Sequence, residues 1–173
     1  MKQWFMLTLV GKDRPGIVAG LSGVLYRAGA NLGEASMARL GGNFTIMLMV
    51  ESEADEATLR RQLDPFARTT QLHVHIDRIE GRLHQHVEPN VRIAVHGADR
   101  PGIVAQVAAA LADAGLNILD LDSDVAGTAD NPIYIIAIDG YAPGGMQAID
   151  RALEPVRASG IEVRLTPVDT LVG

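Results

Sequence analysis

Residues 13–19, Asp-Arg-Pro-Gly-Ile-Val-Ala, return unchanged at 99–105, an offset of 86 in a chain of 173. Flanking positions keep that offset: Gly11 with Gly97, Leu25 with Leu111, Ala28 with Ala114, Gly29 with Gly115 and Asn31 with Asn117. A seven-residue identity with flanking matches at one spacing is not chance, and two copies of this size use up the whole chain. Whatever the chain folds into, it must build twice from a unit the size of a small domain.

Both copies show the same order of elements. In the first, 3–11 alternates Phe5, Leu7 and Leu9 with Trp4, Met6, Thr8 and Val10, as a strand does. A helix is expected over 15–28, with Ile17, Val18, Leu21, Val24, Leu25 and Ala28 on one face, Pro15 in its first turn and Gly29 stopping it. Strands over 31–40 and 44–51 flank a turn at 41–43, and a helix over 55–68, with Leu59, Leu63, Phe66 and Ala67 inward, leads to a strand over 72–80. The second copy gives strand 91–97, helix 101–114, strands 117–125 and 133–139, helix 144–158 and strand 161–168. Its hairpin, 127–132, is about three residues longer and moves the offset to 89 by the last strand. The expected fold is therefore α+β, two βαββαβ units of ferredoxin-like type, each a four-stranded antiparallel sheet with both helices on one face. The first unit is expected over 1–80, a polar linker over 81–90 and the second unit over 91–173.

Composition narrows the function. Hydrophobic residues at 47% and a mean hydropathy of +0.13 suit a packed core and exclude disorder. A net charge of −6 with no run of Lys or Arg leaves nothing to neutralise a line of phosphates, so direct nucleic-acid binding is not expected. The RNA-recognition modules that share this element order stack bases on central-strand aromatics, and aromatics are 4% here. With no cysteine there is no disulfide, thiolate zinc site or cysteine nucleophile, in keeping with a cytoplasmic protein. The apolar stretch 4–10 is too short to span a bilayer and reads as a strand rather than a signal segment, so no membrane partner is expected.

The repeated strand–Gly-x-Asp-Arg-Pro-Gly-Ile-Val–helix–Ala-Gly-Ala-Asn-Leu–strand pattern (Ala-Gly-Leu-Asn-Ile in the second copy), set in βαββαβ, resembles the ACT domain, a small amino-acid-sensing regulatory module. A free-standing pair of such domains resembles the glycine cleavage system transcriptional repressor family, and the resemblance covers essentially the entire chain. It implies a non-enzymatic protein that binds a small amino acid such as glycine and acts on a transcription factor or metabolic enzyme by contact, without a DNA-binding domain. Related turns precede the catalytic domain of formyltetrahydrofolate deformylase and occur in nitrogen-sensing uridylyltransferases, but no catalytic domain follows here. In ACT domains the ligand sits between two modules, near the first turn and the start of the second strand. That nominates Asp13, Arg14, Pro15, Gly16, Ile17, Asn31 and Leu32, with Asp99, Arg100, Pro101, Gly102, Ile103, Asn117 and Ile118.

The chemistry of those residues suits the role. A helix N-terminus offers unpaired N–H groups and partial positive charge to a carboxylate. Asp13 or Asp99 can accept from an ammonium group, Asn31 and Asn117 bring an amide donor and acceptor, and Gly16 and Gly102 let a group approach closely. The competing explanation is structural, with Asp as a helix cap and Gly demanded by packing.

Other groupings are weaker. Asp120, Asp122 and Asp124 share a strand face, but a calcium loop counted from Asp120 would need Gly and Glu where Val125 and Asn131 stand, so a solvated acidic face is expected. His73 with His75 and His84 with His86 alternate in the same way and are read as exposed rather than as a metal site. No nucleophile elbow, phosphate loop or dinucleotide fingerprint is present, so neither a catalytic residue nor a cofactor is assigned. Trp4, Met6 and Val10 share one strand face and Met47 with Met49 another, apolar where a two-layer unit should be polar. Association into a homodimer or higher oligomer is expected from this, and a ligand-free interaction module acting on a partner is the alternative function.

Overall fold

A computed structural model describes residues 2–80, 87–98, 101–128 and 131–168. The chain divides into two compact units, Met1–Gln85 and His86–Gly173. The first runs β1 (Gln3–Lys12), α1 (Ile17–Arg27), β2 (Asn31–Leu40), β3 (Asn43–Ser52), α2 (Glu56–Thr70) and β4 (His73–Ile79). The second runs β5 (Val91–Ala98), α3 (Ile103–Asp113), β6 (Asn117–Thr128), β7 (Asn131–Tyr141), α4 (Met146–Ala152), α5 (Glu154–Ala158) and β8 (Glu162–Pro167). Each unit is one antiparallel sheet, ordered β2-β3-β1-β4 and β6-β7-β5-β8.

Alternation decides which face of each sheet meets the helices. Phe5, Leu7 and Leu9 of β1 pair with Val50, Leu48 and Ile46 of β3, and all six are buried with Ile17, Leu21 and Leu25 of α1 and Leu59 and Leu63 of α2. In the second unit Val91, Ile93 and Val95 meet Ile136 and Ile138, Ile103, Val107 and Leu111 of α3, and Ile149, Leu153 and Val156. Each core is one contiguous cluster. Val18, expected on the inward face of the first helix, is instead 44% exposed, because the buried stripe is the narrower Ile17–Leu21–Leu25 row one turn apart.

The opposite face of the first sheet carries Trp4, Met6 and Thr8 level with Glu51, Met49 and Met47 on β3 and with Ile79, Asp77 and His75 on β4. Trp4, Met6, Met47 and Met49 form the apolar patch expected from the sequence, with Met47 exposed and Met49 buried, beside the charged Glu51, Asp77 and His75. The second sheet does not repeat it. There Arg92, Ala94 and His96 lie level with Asp139, Ala137 and Ile135, and a bidentate Arg92–Asp139 pair with 2.6 Å contacts crosses the strands.

Some boundaries move for identifiable reasons. The last helical segment, expected as one helix over 144–158, is α4 and α5 separated at Leu153, because Pro155 has no N–H to give the preceding turn. Pro65 stands inside the longer, unbroken α2. The helices α1 and α3 begin at Ile17 and Ile103, not at the prolines, because Gly16 and Gly102 lie in the left-handed region at φ +88° and +94°. Strands β6 and β7 reach into the expected 127–132 hairpin, whose residues 129–130 lie outside the described residues, as do 81–86 of the linker with His84 and His86. No helix among the described residues is long and apolar enough to cross a membrane.

Candidate functional site

The repeated turn between first strand and first helix is built from both ends. Strand β1 ends where hairpin β2–β3 closes through Gly41 and Gly42, both at positive φ, a two-residue loop of the type that matches strand twist. The Asp13 N–H donates to the Gly42 carbonyl at 3.0 Å, fastening the turn to the hairpin. Helix α1 then starts after Gly16, whose carbonyl accepts from the Gly20 N–H at 2.8 Å. A Cβ at Gly16 or Gly102 would meet nothing within 4 Å. These glycines are required for their left-handed backbone, and no neighbouring protein atom crowds them.

Neither α1 nor α3 has a side-chain cap, and neither carries an acidic residue in its first turn. Asp13 is therefore not the cap that one reading of the sequence made it. Helix α2 shows the contrast, for the Asp55 carboxylate accepts from the Thr58 N–H at 2.9 Å and is held below the usual carboxylate range by that bonding. Among the described residues, no side chain caps the first-turn N–H groups of Ile17, Val18 and Ala19 or of Ile103, Val104 and Ala105.

Asp13 is occupied elsewhere. Its Oδ2 lies 2.6 Å from Nε of Arg39 on β2. Arg14 donates through Nη2 to Oε1 of Gln71 at 2.6 Å. Gln71 is the first unit's one described non-glycine residue at positive φ, +59°. Neither Arg39 nor Gln71 was found by sequence reasoning. Asp99 and Arg100 lie outside the described residues, while Pro101 and Gly102 are exposed and Ile103 is buried in the second core.

Asn31 and Leu32 are not beside the turn within their unit. Asn31 pairs with Glu51, which pairs with Trp4 at the start of β1, whereas Asp13 follows Lys12 at its end. Nine residues of strand, about 30 Å, separate the two levels. Asn117 and Ile118 sit in the same way, opposite Tyr141 and Gly140, far from Gly102. The reason is topological, because α1 and α3 carry the chain back to the other end of the sheet before the second strand begins. Leu32 is 42% exposed, whereas Ile118 packs on its core.

The remaining groupings stay on the surface. Asp120, Asp122 and Asp124 share the outer face of β6 and are exposed, and His75 lies 3.1 Å from Asp77 on β4. Among the described residues no three His, Asp or Glu side chains gather as a metal site. Apolar grooves run between the helices, one lined by Gly20, Gly23, Arg27 and Phe66 and one by Ala110, Asp113 and Val156, and neither includes the turn.

Family profiles for the ACT domain match residues 3–77 and 91–141. A UPF0237 protein of Streptococcus pneumoniae is 37% identical over 73 residues, 41% of this chain and 83% of that one. A UPF0237 protein of Methanopyrus kandleri is 43% identical over 61 residues, 34% of this chain and 68% of the relative. Among solved structures, an unknown protein from Galdieria sulphuraria superposes with a TM-score of 0.79 at 26% identity, over 98% of this chain and 100% of that one. A candidate glycine cleavage system transcriptional repressor superposes at 0.74 with 18% identity, over 98% and 99%.

Proposed function

This chain belongs to the ACT-domain family, and from that premise we propose that it is a non-enzymatic, cytoplasmic sensor of a small amino acid. The observation that carries the reading is the pair of helix starts, each opened by a left-handed glycine and without a side-chain cap among the described residues. An amino acid's carboxylate fits such a start, and its ammonium group fits the neighbouring aspartate. Charge-assisted contacts of about 1.5–3 kcal/mol each suit micromolar-to-millimolar sensing once ordering costs are met. Glycine is the first ligand to test, and glycine cleavage metabolism or its transcription is the proposed setting. The output is contact with a transcription factor or metabolic enzyme. Because Asn31 and Asn117 stand about 30 Å from the turns of their own units, they serve such a ligand only from another module.

Thermal-shift titration of the full chain against the twenty amino acids tests the reading. A selective rise in Tm that grows with concentration is expected by mass action. A flat response at millimolar concentrations refutes it. The apolar outer face of the first sheet favours a second reading, an interaction module that needs no ligand. A flat response with a solution mass above 18.4 kDa would support that one.

A further inference from the structure

We propose that the helical layer of the first unit docks on the helical layer of the second unit in another copy of this chain, with Arg27 facing Asp113. The inference is independent of the amino-acid reading. It starts from the two grooves between helices, which occupy the same place in each unit. Along α1 and α3 the repeat spacing of 86 makes Val24 equivalent to Ala110 and Arg27 to Asp113. Along the following helices the buried rows Leu59–Leu63 and Ile149–Leu153 set a spacing of 90, so Pro65 matches Pro155 and Phe66 matches Val156. These residues line the two grooves position for position, apolar at three of them and opposite in charge at the fourth.

The sign of the charge extends beyond that one position. Helices α1 and α2 carry Arg27, Arg60, Arg61 and Arg68 against Glu56 and Asp64, an excess of positive charge. Helices α3, α4 and α5 carry Asp113, Asp150 and Glu154 against Arg151 and Arg157, an excess of negative charge. Arg60 is held by Glu56, and Arg157 by Asp150 and Glu154, each within its own unit. Arg27 and Asp113 are exposed, and neither has an ion-pair or hydrogen-bond partner among the described residues. Docking like layers would bring like charges together, whereas docking the first on the second joins opposite ones. The side chains beside the charges differ in the same complementary sense. Tyr26 is 83% exposed, an aromatic of the kind that anchors interfaces, and Ala112 is its equivalent. With Ala105 and Ala109 also exposed, α3 leaves room for that ring. The contact is heterologous, and every copy carries both halves of it.

Charge reversal in the full chain tests the contact, read by sedimentation over a range of protein concentrations. The wild type is expected to show a mass above 18.4 kDa. Arg27→Asp or Asp113→Arg alone should raise the dissociation constant about tenfold or more, since each sets like charges face to face. The double variant should return it towards the wild-type value. An equimolar mixture of the two single variants should associate as the double variant does, because each copy then meets opposite charge on the other in both contacts. Circular dichroism should stay unchanged throughout, and where a reversal alters it, Arg27→Gln or Asp113→Asn should show a smaller weakening of the same sign. A wild-type mass of 18.4 kDa up to millimolar concentration would overturn the proposal. So would single variants that associate as well as the wild type, or a mixture that stays apart.

Discussion

Gly11 and Gly97 are equals in the repeat, yet a methyl group on each should act in opposite directions. A Cβ on Gly11 would stand 2.8 Å from Cδ2 of Leu72 and 2.9 Å from the Gln71 carbonyl oxygen. That oxygen is backbone at the tight junction before β4, so relief means moving the strand. A Cβ on Gly97 would stand 3.7 Å from Cδ1 of Ile103 and 3.8 Å from Cγ1 of Ile161, ordinary contact. Replacing a flexible glycine by alanine at a compatible backbone gains about 0.4–1 kcal/mol through the unfolded chain. Overpacking costs about 1–3 kcal/mol. Gly97→Ala should therefore stabilise the second unit by the smaller figure, and Gly11→Ala should destabilise the first by a net roughly 0.5–2 kcal/mol. With m near 1–3 kcal/mol/M, the latter moves a urea midpoint down by roughly 0.2–2 M. The chain's one tryptophan, half-buried Trp4 on β1, lets fluorescence follow the first unit. Hydrogen exchange in β5 and β7 follows the second. Changes of the same sign and size in both variants would refute the reasoning, for the contact distances would then not be what distinguishes the two positions.

Gly16→Ala and Gly102→Ala should each lose about 1–2 kcal/mol in thermal or urea unfolding, from backbone strain alone, since open space surrounds both positions. Arg92 holds the Asp139 carboxyl below its usual range, chiefly through their hydrogen bonds. A depressed folded-state pKa contributes stability above the unfolded value, near 3.9, and loses it as pH falls through the folded value. Asp139→Asn should therefore lower the second unit's urea midpoint at pH 7, with the gap to wild type closing as pH drops below about 4. The edge strands β2 and β6 leave Met37 and Leu121 exposed on their helix-side faces. If these edges carry association, Met37→Lys with Leu121→Lys should lower the light-scattering mass at unchanged circular dichroism.

Much of this architecture is a local property of the chain and was legible without coordinates. Alternation of period two made strands of 3–11 and 91–97, the row Ile17–Leu21–Leu25 made a helix, and Gly41-Gly42 made a hairpin, each from neighbours in sequence. The duplicated turn marked the candidate site for the same reason. What spacing along the chain did not show was which of these pieces meet. Asn31 follows the first helix closely in sequence but lies at the opposite end of the sheet from Asp13, a consequence already contained in the strand–helix–strand order and realised only when direction is followed. Arg39 and Gln71 reach the turn through hairpin register and the β1–β4 pairing, contacts between residues 26 and 57 positions apart that no local pattern encodes. The two repeats make the same point, since Val125 and Gly160 stand in the second unit where the first has Arg39 and Gln71. The sequence by itself determined two ACT units and where their helices begin to within a turn. Tertiary structure alone decided which charges face one another, because a side chain's partner depends on register between distant strands, whereas its secondary structure depends on the residues beside it.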